Sequence, residues 1–420
     1  MVARYHVADV NGSKLAGTIE DALDQVARHG AQVMLQKALE AEIEEFLQRP
    51  RYQRGGEFRG YRNGHGRERT VGIGTWAVPV KVPRVSDTPE GHAFESAVLP
   101  KRTRLSMETQ KLFARLYLEG LSTGDFEPVF RQLLGETAPL SPNTMIRIKE
   151  EWEAEYKAWR ERPLENERFI YTWADGVYLG AGLEKENSCL LTLLGARADG
   201  TKDLIAMEIG YRESTASWGD VLRSLRDRGL RAPLVLVGDG NLGIWGAQGE
   251  VWIETKRQRC WNHRLMNMVD KLPKRMQPEV SSQMSELYQA PTKKVCETKR
   301  DELVAWLKSE RQEPAAATLL RDWDDFVTFY DFPQEHWLHL RTTNPLESVF
   351  AGVRLRTDVA KRARKRENAL YLVFKVVQRL GRNWRALNGG PELMQMVAER
   401  AVFRDGVLQE PDQETEVRVA

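Results

Sequence analysis

The chain has 420 residues, 41% of them hydrophobic and 29% charged, enough for two to four domains that each bury a core. Its formal net charge of +2 excludes a uniformly polycationic protein, so any partner attracted by charge must meet local clusters. Three scattered cysteines (Cys189, Cys260, Cys296) exclude a disulfide framework, no apolar run approaches the ~20 residues of a membrane span, and MVARYHVADVNG lacks a signal-peptide core. The expectation is a soluble cytoplasmic protein with no membrane partner.

Residues 15 to 48 carry apolar positions at helical spacing and end at Arg49-Pro50, which predicts a helix. The next stretch, RPRYQRGGEFRGYRNGHGRER, holds seven Arg against two Glu and many Gly. It reads as a flexible basic segment suited to phosphates, with Arg59, Arg62, Arg67 and Arg69 as contacts. TWAVPVKVPRV then alternates like a short strand broken by Pro79 and Pro83.

Residues 105 to 158 read as helical. LSTGDFEPVFRQLLGE can be capped by Ser122 or Thr123 and closes near Gly135; Ser141 can cap a second helix with Pro142 at its first position. Such a pair suits a helix-turn-helix whose second helix, with Asn143 and Arg147, enters the major groove. An ordinary helical hairpin has the same signature.

From 168 to 264 the pattern changes to β-β-β-α-β-α-β. RFIYTWAD, SCLLTLLGAR, DLIAMEIG and APLVLVGD are apolar strands, KRQRCW is another strand, and WGDVLRSLRDRGL is an amphipathic helix ending at Gly229. Continuous apolar strands imply a mixed α/β sheet buried on both faces. From 264 to 335 only helical patterns occur. A basic helix follows from Pro345 to about Trp384, broken near Thr357 to Arg366. Between Arg354 and Arg385 it has eleven Lys and Arg against one Asp and one Glu. From Asp405 onward the chain is acidic and is expected to fray.

Three carboxylates stand out: Asp175 and Asp239, each ending a strand and followed by Gly, and Glu347 at the start of the basic helix. If the two strands are neighbours, the aspartates meet in the crevice at the sheet's carboxyl end. Divalent cations relieve the repulsion of such a cluster, and Mg²⁺ or Mn²⁺, two ions per site, drives in-line phosphoryl transfer. Each feature also has a plain reading. Asp-Gly is a common turn dipeptide, and Asn344-Pro345-Leu346-Glu347 reads as a capped helix start. Cys260 and His263 form half of a zinc pattern, but the other candidates, His336 and His339, are far along the chain. Trp245, Trp261 and Trp384 read as core residues or as platforms for bases.

The chain resembles the Mutator-type transposases of bacterial insertion sequences, a DDE family with an RNase H-like core. Four stretches carry the resemblance: RNGHGRERTVGIGTWAVPVKVPR, the ADGVY setting of Asp175, LVLVGDGNLGIW with QRCWNHRLMNMVDKLPK, and RTTNPLES with the basic helix after it. It departs at Asn241, where many relatives have His, and in LRTDVAKRARKRENALYLVFKVV. The resemblance implies that Asp175, Asp239 and Glu347 are the catalytic, metal-holding triad. It implies that Cys260 and His263 support the active site, and that residues 265–339 are a helical insertion.

The fold class expected is therefore α/β: an RNase H-like mixed-sheet core with an all-helical insertion, preceded by helical DNA-binding regions. The boundaries expected are 1–50, 51–100, 101–162, a core from 163–264 and 340–390, the insertion 265–339, and a tail 391–420. DNA, as terminal inverted repeats and target, is the expected partner, together with a second copy of the chain in a homodimer or larger assembly. Further phosphate contacts are expected from Arg354, Arg356, Lys361, Arg362, Arg364, Lys365 and Arg366. In a bacterium this implies association with the nucleoid. A structure-specific nuclease or a DNA-binding regulator derived from a transposase are the competing expectations.

Overall fold

The computed structural model describes residues 19–53, 58–74, 76–101, 103–118, 142–178, 188–240, 242–359 and 366–410. The chain divides into two compact units, residues 1–148 and 149–420.

In the first unit, helix Ile19–Leu47 buries Leu39, Ile43 and Leu47, four residues apart and so on one face. Leu39 packs with Val71, Val78, Val80 and Leu99. Strand β1 (Tyr61–His65) pairs with β4 (Pro83–Ser86), and β2 (Arg69–Ile73) pairs with β3 (Trp76–Val80), both antiparallel. The basic segment is thus not a free flexible arm from Tyr61 on. Pro79 sits inside β3 opposite Thr70, and Pro83 begins β4, so neither ends the sheet structure. Helix Met107–Leu118 follows; the proposed turn, with Ser122, Thr123, Gly135 and Ser141, lies outside the described residues.

The second unit takes in helix Pro142–Glu161 from Lys149 on. Tyr156 anchors that helix by donating to the Met207 carbonyl at 2.7 Å and packing on Phe374. This end of the helix belongs to the same unit as the sheet. The strands are β5 (Phe169–Tyr178), β6 (Ser188–Arg197), β7 (Lys202–Tyr211), β8 (Val235–Gly238) and β9 (Lys256–Arg259). Their order is β7-β6-β5-β8-β9. The first three run antiparallel, and β5, β8 and β9 run parallel. The β6–β7 turn is tight: Gly200 has φ +84, and the Arg197 amide donates to the Thr201 carbonyl at 2.8 Å. Helices Thr215–Asp227 and Leu242–Val251 cover a core with Leu191, Leu193, Ile205, Trp218 and Leu236. On β5, Tyr171 and Trp173 carry polar groups elsewhere: the Tyr171 hydroxyl is 3.0 Å from His336 Nδ1, and the Trp173 indole donates to the His339 carbonyl. Both faces of β5 are buried, as its continuous apolar run predicts.

Residues 261–340 are helices and short 3₁₀ turns without a strand. Helix Asn344–Val359 follows, and helix Arg366–Gly381 lies beyond residues 360–365. The end of the chain corrects one expectation. Residues 403–408 form a hairpin, and Asp405 Oδ1 accepts the Lys293 amide at 2.7 Å, so Asp405 does not begin a frayed tail. No helix among the described residues is long and apolar enough to cross a membrane.

Candidate functional site

Ala174 of β5 and Gly238 of β8 are register partners in a parallel pair, so the next residues, Asp175 and Asp239, lie side by side where that pairing ends. Asp175 does not end its strand. β5 continues to Tyr178, paired with β6 alone, and Asp175 lies opposite Thr192. Its Asp-Gly is therefore not a turn. Asp239 does end β8, and its carbonyl is held by the Trp245 indole at 2.7 Å.

Glu347 joins them from the helical side. The Thr343 carbonyl accepts the amides of Leu346 and Glu347 at 2.8 and 3.0 Å, which starts the helix one residue earlier than the Asn344 cap predicted. Glu347 thus lies past the capping-box position, and its Oε1 is 3.3 Å from the Thr343 hydroxyl. Asp175, Asp239, Glu347, Glu213, Asn262, His263 and Phe350 line one cleft of about 500 Å³.

The start of helix Trp261–Val269 builds the remaining wall. The Cys260 amide donates to the Gly238 carbonyl, and the Trp261 amide to the Arg341 carbonyl, at 2.8 and 2.9 Å. Asn262 donates to the Asn344 side chain at 2.8 Å. Cys260 is buried, and its sulfur accepts the amide and hydroxyl of Thr343, both at 3.4 Å. His263 Nδ1 is 3.9 Å from Asp239 Oδ1. Cys260, His263 and Glu347 bring potential ligand atoms within 4.8 Å of one another. The other half of the zinc pattern does not join them: His336 meets Tyr171, and His339 Nε2 accepts the Asn388 amide at 3.4 Å.

The electrostatics follow from burial and crowding. Burial pushes the Asp175 carboxyl up to about 7; His263 and the Gly176 amide oppose this, and Glu213 and Asp239 add to it. Burial alone would lower His263, but Cys260 and the two aspartates outweigh it and raise the imidazole to about 9.

Several predicted contacts have other roles. Arg62 is divided between Glu40 and Glu44 of the first helix, at 3.0 and 3.1 Å, and Arg69 donates to the Leu99 carbonyl. In this structure both side chains are engaged within the protein. Arg67 is exposed and Arg59 half-buried. Asn143 lies in the first turn of helix Pro142–Glu161, and Arg147 is exposed on it. Arg354 and Arg356 lie on the Glu347 helix and Arg366 opens the next; Lys361, Arg362, Arg364 and Lys365 lie outside the described residues. Trp245 and Trp261 are buried, with indoles donating to the carbonyls of Asp239 and Phe326, and cannot stack on bases; Trp384 is half-buried. Sequence reasoning missed Glu213, Asn262 and Thr343. Only Gly176, a glycine inside a strand, could have hinted at a close approach there.

The fold and site define a class: a mixed α/β protein whose sheet ends in a cleft lined by carboxylates from distant segments. The family signature described as "Transposase, Mutator family" matches residues 5–386, and the chain belongs to that family. It is 43% identical to the transposase for insertion sequence element IS6120 of Mycolicibacterium smegmatis over 297 residues, 70% of this chain and 91% of that one. It is 30% identical to the transposase for ISRM5 of Rhizobium meliloti (strain 1021) over 374 residues, 88% of this chain and 90% of that one. Among solved structures, the Drosophila P element transposase strand transfer complex aligns with 69% of this chain and 85% of its own, at a TM-score of 0.27 and 11% identity.

Proposed function

We propose that this chain is a DDE transposase that binds the ends of an insertion sequence, cuts at their 3′ ends and joins them to target DNA. The observation that carries this is the convergence of Asp175, Asp239 and Glu347 on one cleft. Family membership supplies the reaction class. Three antiparallel strands followed by two parallel ones, with acids on β5 and at the end of β8, support an RNase H-like reading of the sheet.

The donor set fits a hard divalent cation. Three carboxylates face an open cleft, while the Cys260 sulfur is already engaged by Thr343. Asp175, Asp239 and Glu347 would hold Mg²⁺ or Mn²⁺, two ions in the full site. Bound there, these supply the charge neutralisation that in-line phosphoryl transfer requires. The chain's own residues set the geometry. The Gly176 and Gly240 amides each fix one oxygen of the preceding aspartate. Thr343 orients Glu347, and Cys260 orients Thr343. His263, cationic below about pH 9, offsets the crowded negative charge.

DNA contacts fall to Arg59, Arg67, Asn143 and Arg147, and to the basic stretch with Arg354, Arg356, Lys361, Arg362, Arg364, Lys365 and Arg366. Two element ends must be held together, which fits a homodimer or larger assembly. The protein then works on the nucleoid of a bacterial cytoplasm.

The test is a strand-transfer assay with paired element ends in Mg²⁺. Wild type gives joined products, while Asp175→Asn, Asp239→Asn and Glu347→Gln lose cleavage and joining and keep end binding. Near-normal joining by any one of the three refutes the triad. Cleavage without joining by wild type means a nuclease, and binding alone means a regulator.

A further inference from the structure

Glu213 lies in the turn between β7 and helix Thr215–Asp227, and it lines the same cleft as Asp175, Asp239 and Glu347. Three features of the fold bring it there. A side-chain carbon at Gly176 would stand 2.6 Å from the Glu213 side chain, so Glu213 reaches the cleft across a strand position that only glycine leaves open. A carbon at Gly243 would stand 2.0 Å from the Glu213 carbonyl, so the helix that follows Asp239 packs directly on the Glu213 peptide. The thiol of Cys189, fully buried on β6, is 3.8 Å from Glu213 Oε1. The preceding residue, Arg212, has φ +58, a left-handed conformation uncommon for a side chain of its size. The Glu213 side chain thus fills the space beside Gly176, the residue next to Asp175, and lines the cleft that Asp175 also lines.

We propose that Glu213 is a fourth carboxylate of the cation-binding cleft and would help Asp175 hold a divalent cation there. This rests on the triad reading above and extends it. Carboxylates that line one half-buried cleft repel one another, and a divalent cation turns that repulsion into binding. Glu213 enters from the helix-covered side of the sheet and Glu347 from the side of the helical block, so the two glutamates would approach bound cations from different directions.

The test is a Mn²⁺ titration of the purified full chain without DNA, reading free Mn²⁺ by electron paramagnetic resonance. Wild type, Asp175→Asn and Glu213→Gln are compared, each with its melting temperature in chelator. The expected result is at least tenfold weaker Mn²⁺ binding, or loss of one ion, in Glu213→Gln at an unchanged melting temperature. Wild-type affinity and stoichiometry in Glu213→Gln, with binding lost in Asp175→Asn, overturns the role of Glu213 and leaves the triad standing. Wild-type binding in both variants overturns both. If Glu213→Gln does not fold, Glu213→Ala, which leaves less bulk beside Gly176, is read in the same way.

Discussion

The Cys260 sulfur accepts two hydrogen bonds from Thr343, one from its amide and one from its hydroxyl, each at 3.4 Å. Through this contact the end of β9 grips the first turn of the helix that bears Glu347. The sulfur therefore acts on Glu347 through Thr343, whose hydroxyl is 3.3 Å from the glutamate.

Cys260→Ala should slow single-turnover cleavage roughly 10- to 100-fold, the usual effect of removing a group that orients a metal ligand. End binding should stay intact. Elemental analysis of chelator-washed protein should find no stoichiometric zinc. Zinc that is present in wild type and lost in Cys260→Ser would show that the pair is a metal site.

Gly195 on β6 leaves no room for a side chain: an added carbon would meet Ile205 Cδ1 and Phe169 Cδ1 at 2.4 Å. Gly195→Ala should therefore destabilise the second unit by about 1–3 kcal/mol, the range for overpacking a core. Urea unfolding measures this directly. A variant as stable as wild type would mean that β5 and β7 yield at this point.

His336 is fully buried, and burial, reinforced by His339, lowers its imidazole from 6.5 to about 4. Between those values the unfolded chain binds a proton that the native chain refuses. Stability from this group is therefore complete above about pH 6.5 and lost as pH falls toward 4, at up to ~1.4 kcal/mol per unit. His336→Gln removes that dependence. The stability gap between wild type and His336→Gln should narrow from pH 7 to pH 5, and a gap that stays constant would refute the buried neutral state.

Arg62 and Arg67 separate two roles within one basic segment. Arg62→Ala breaks ion pairs with Glu40 and Glu44 and should cost up to ~1 kcal/mol of stability while leaving the salt dependence of DNA binding unchanged. Arg67→Ala should leave stability unchanged and flatten the salt slope by ~0.9. Swapped outcomes would reverse the assignment.

The strands were legible because their apolar runs stand out from the helical stretch after them, which shows a different period, whereas their order in the sheet, β7-β6-β5-β8-β9, was left open. Asp239 was placed well for the same reason, since Gly238 closes a short buried run. Asp175 was less well placed. Gly176, Val177 and Tyr178 look like a turn in sequence, yet β6 extends far enough to pair with them. Arg62 read as free because its partners lie in a helix some twenty residues earlier. Glu213 gave no local signal at all; its position comes from the small residues facing it. The docked hairpin at 403–408 was hidden because its contacts with Lys293 and Tyr330 are made entirely by tertiary packing.

The segments that supply the three acids lie far apart in the chain, with a whole helical block between Asp239 and Glu347. Contacts between distant segments close large loops, and their entropy makes them late events in folding. During synthesis the sheet can form from residues 169–259 while the glutamate is still unmade. A product that stops within the helical block carries both aspartates and the β5–β8 pairing without the third acid. If the three acids act as proposed, the capacity to fold a sheet arrives first, and the capacity to break DNA arrives only with the last long helices.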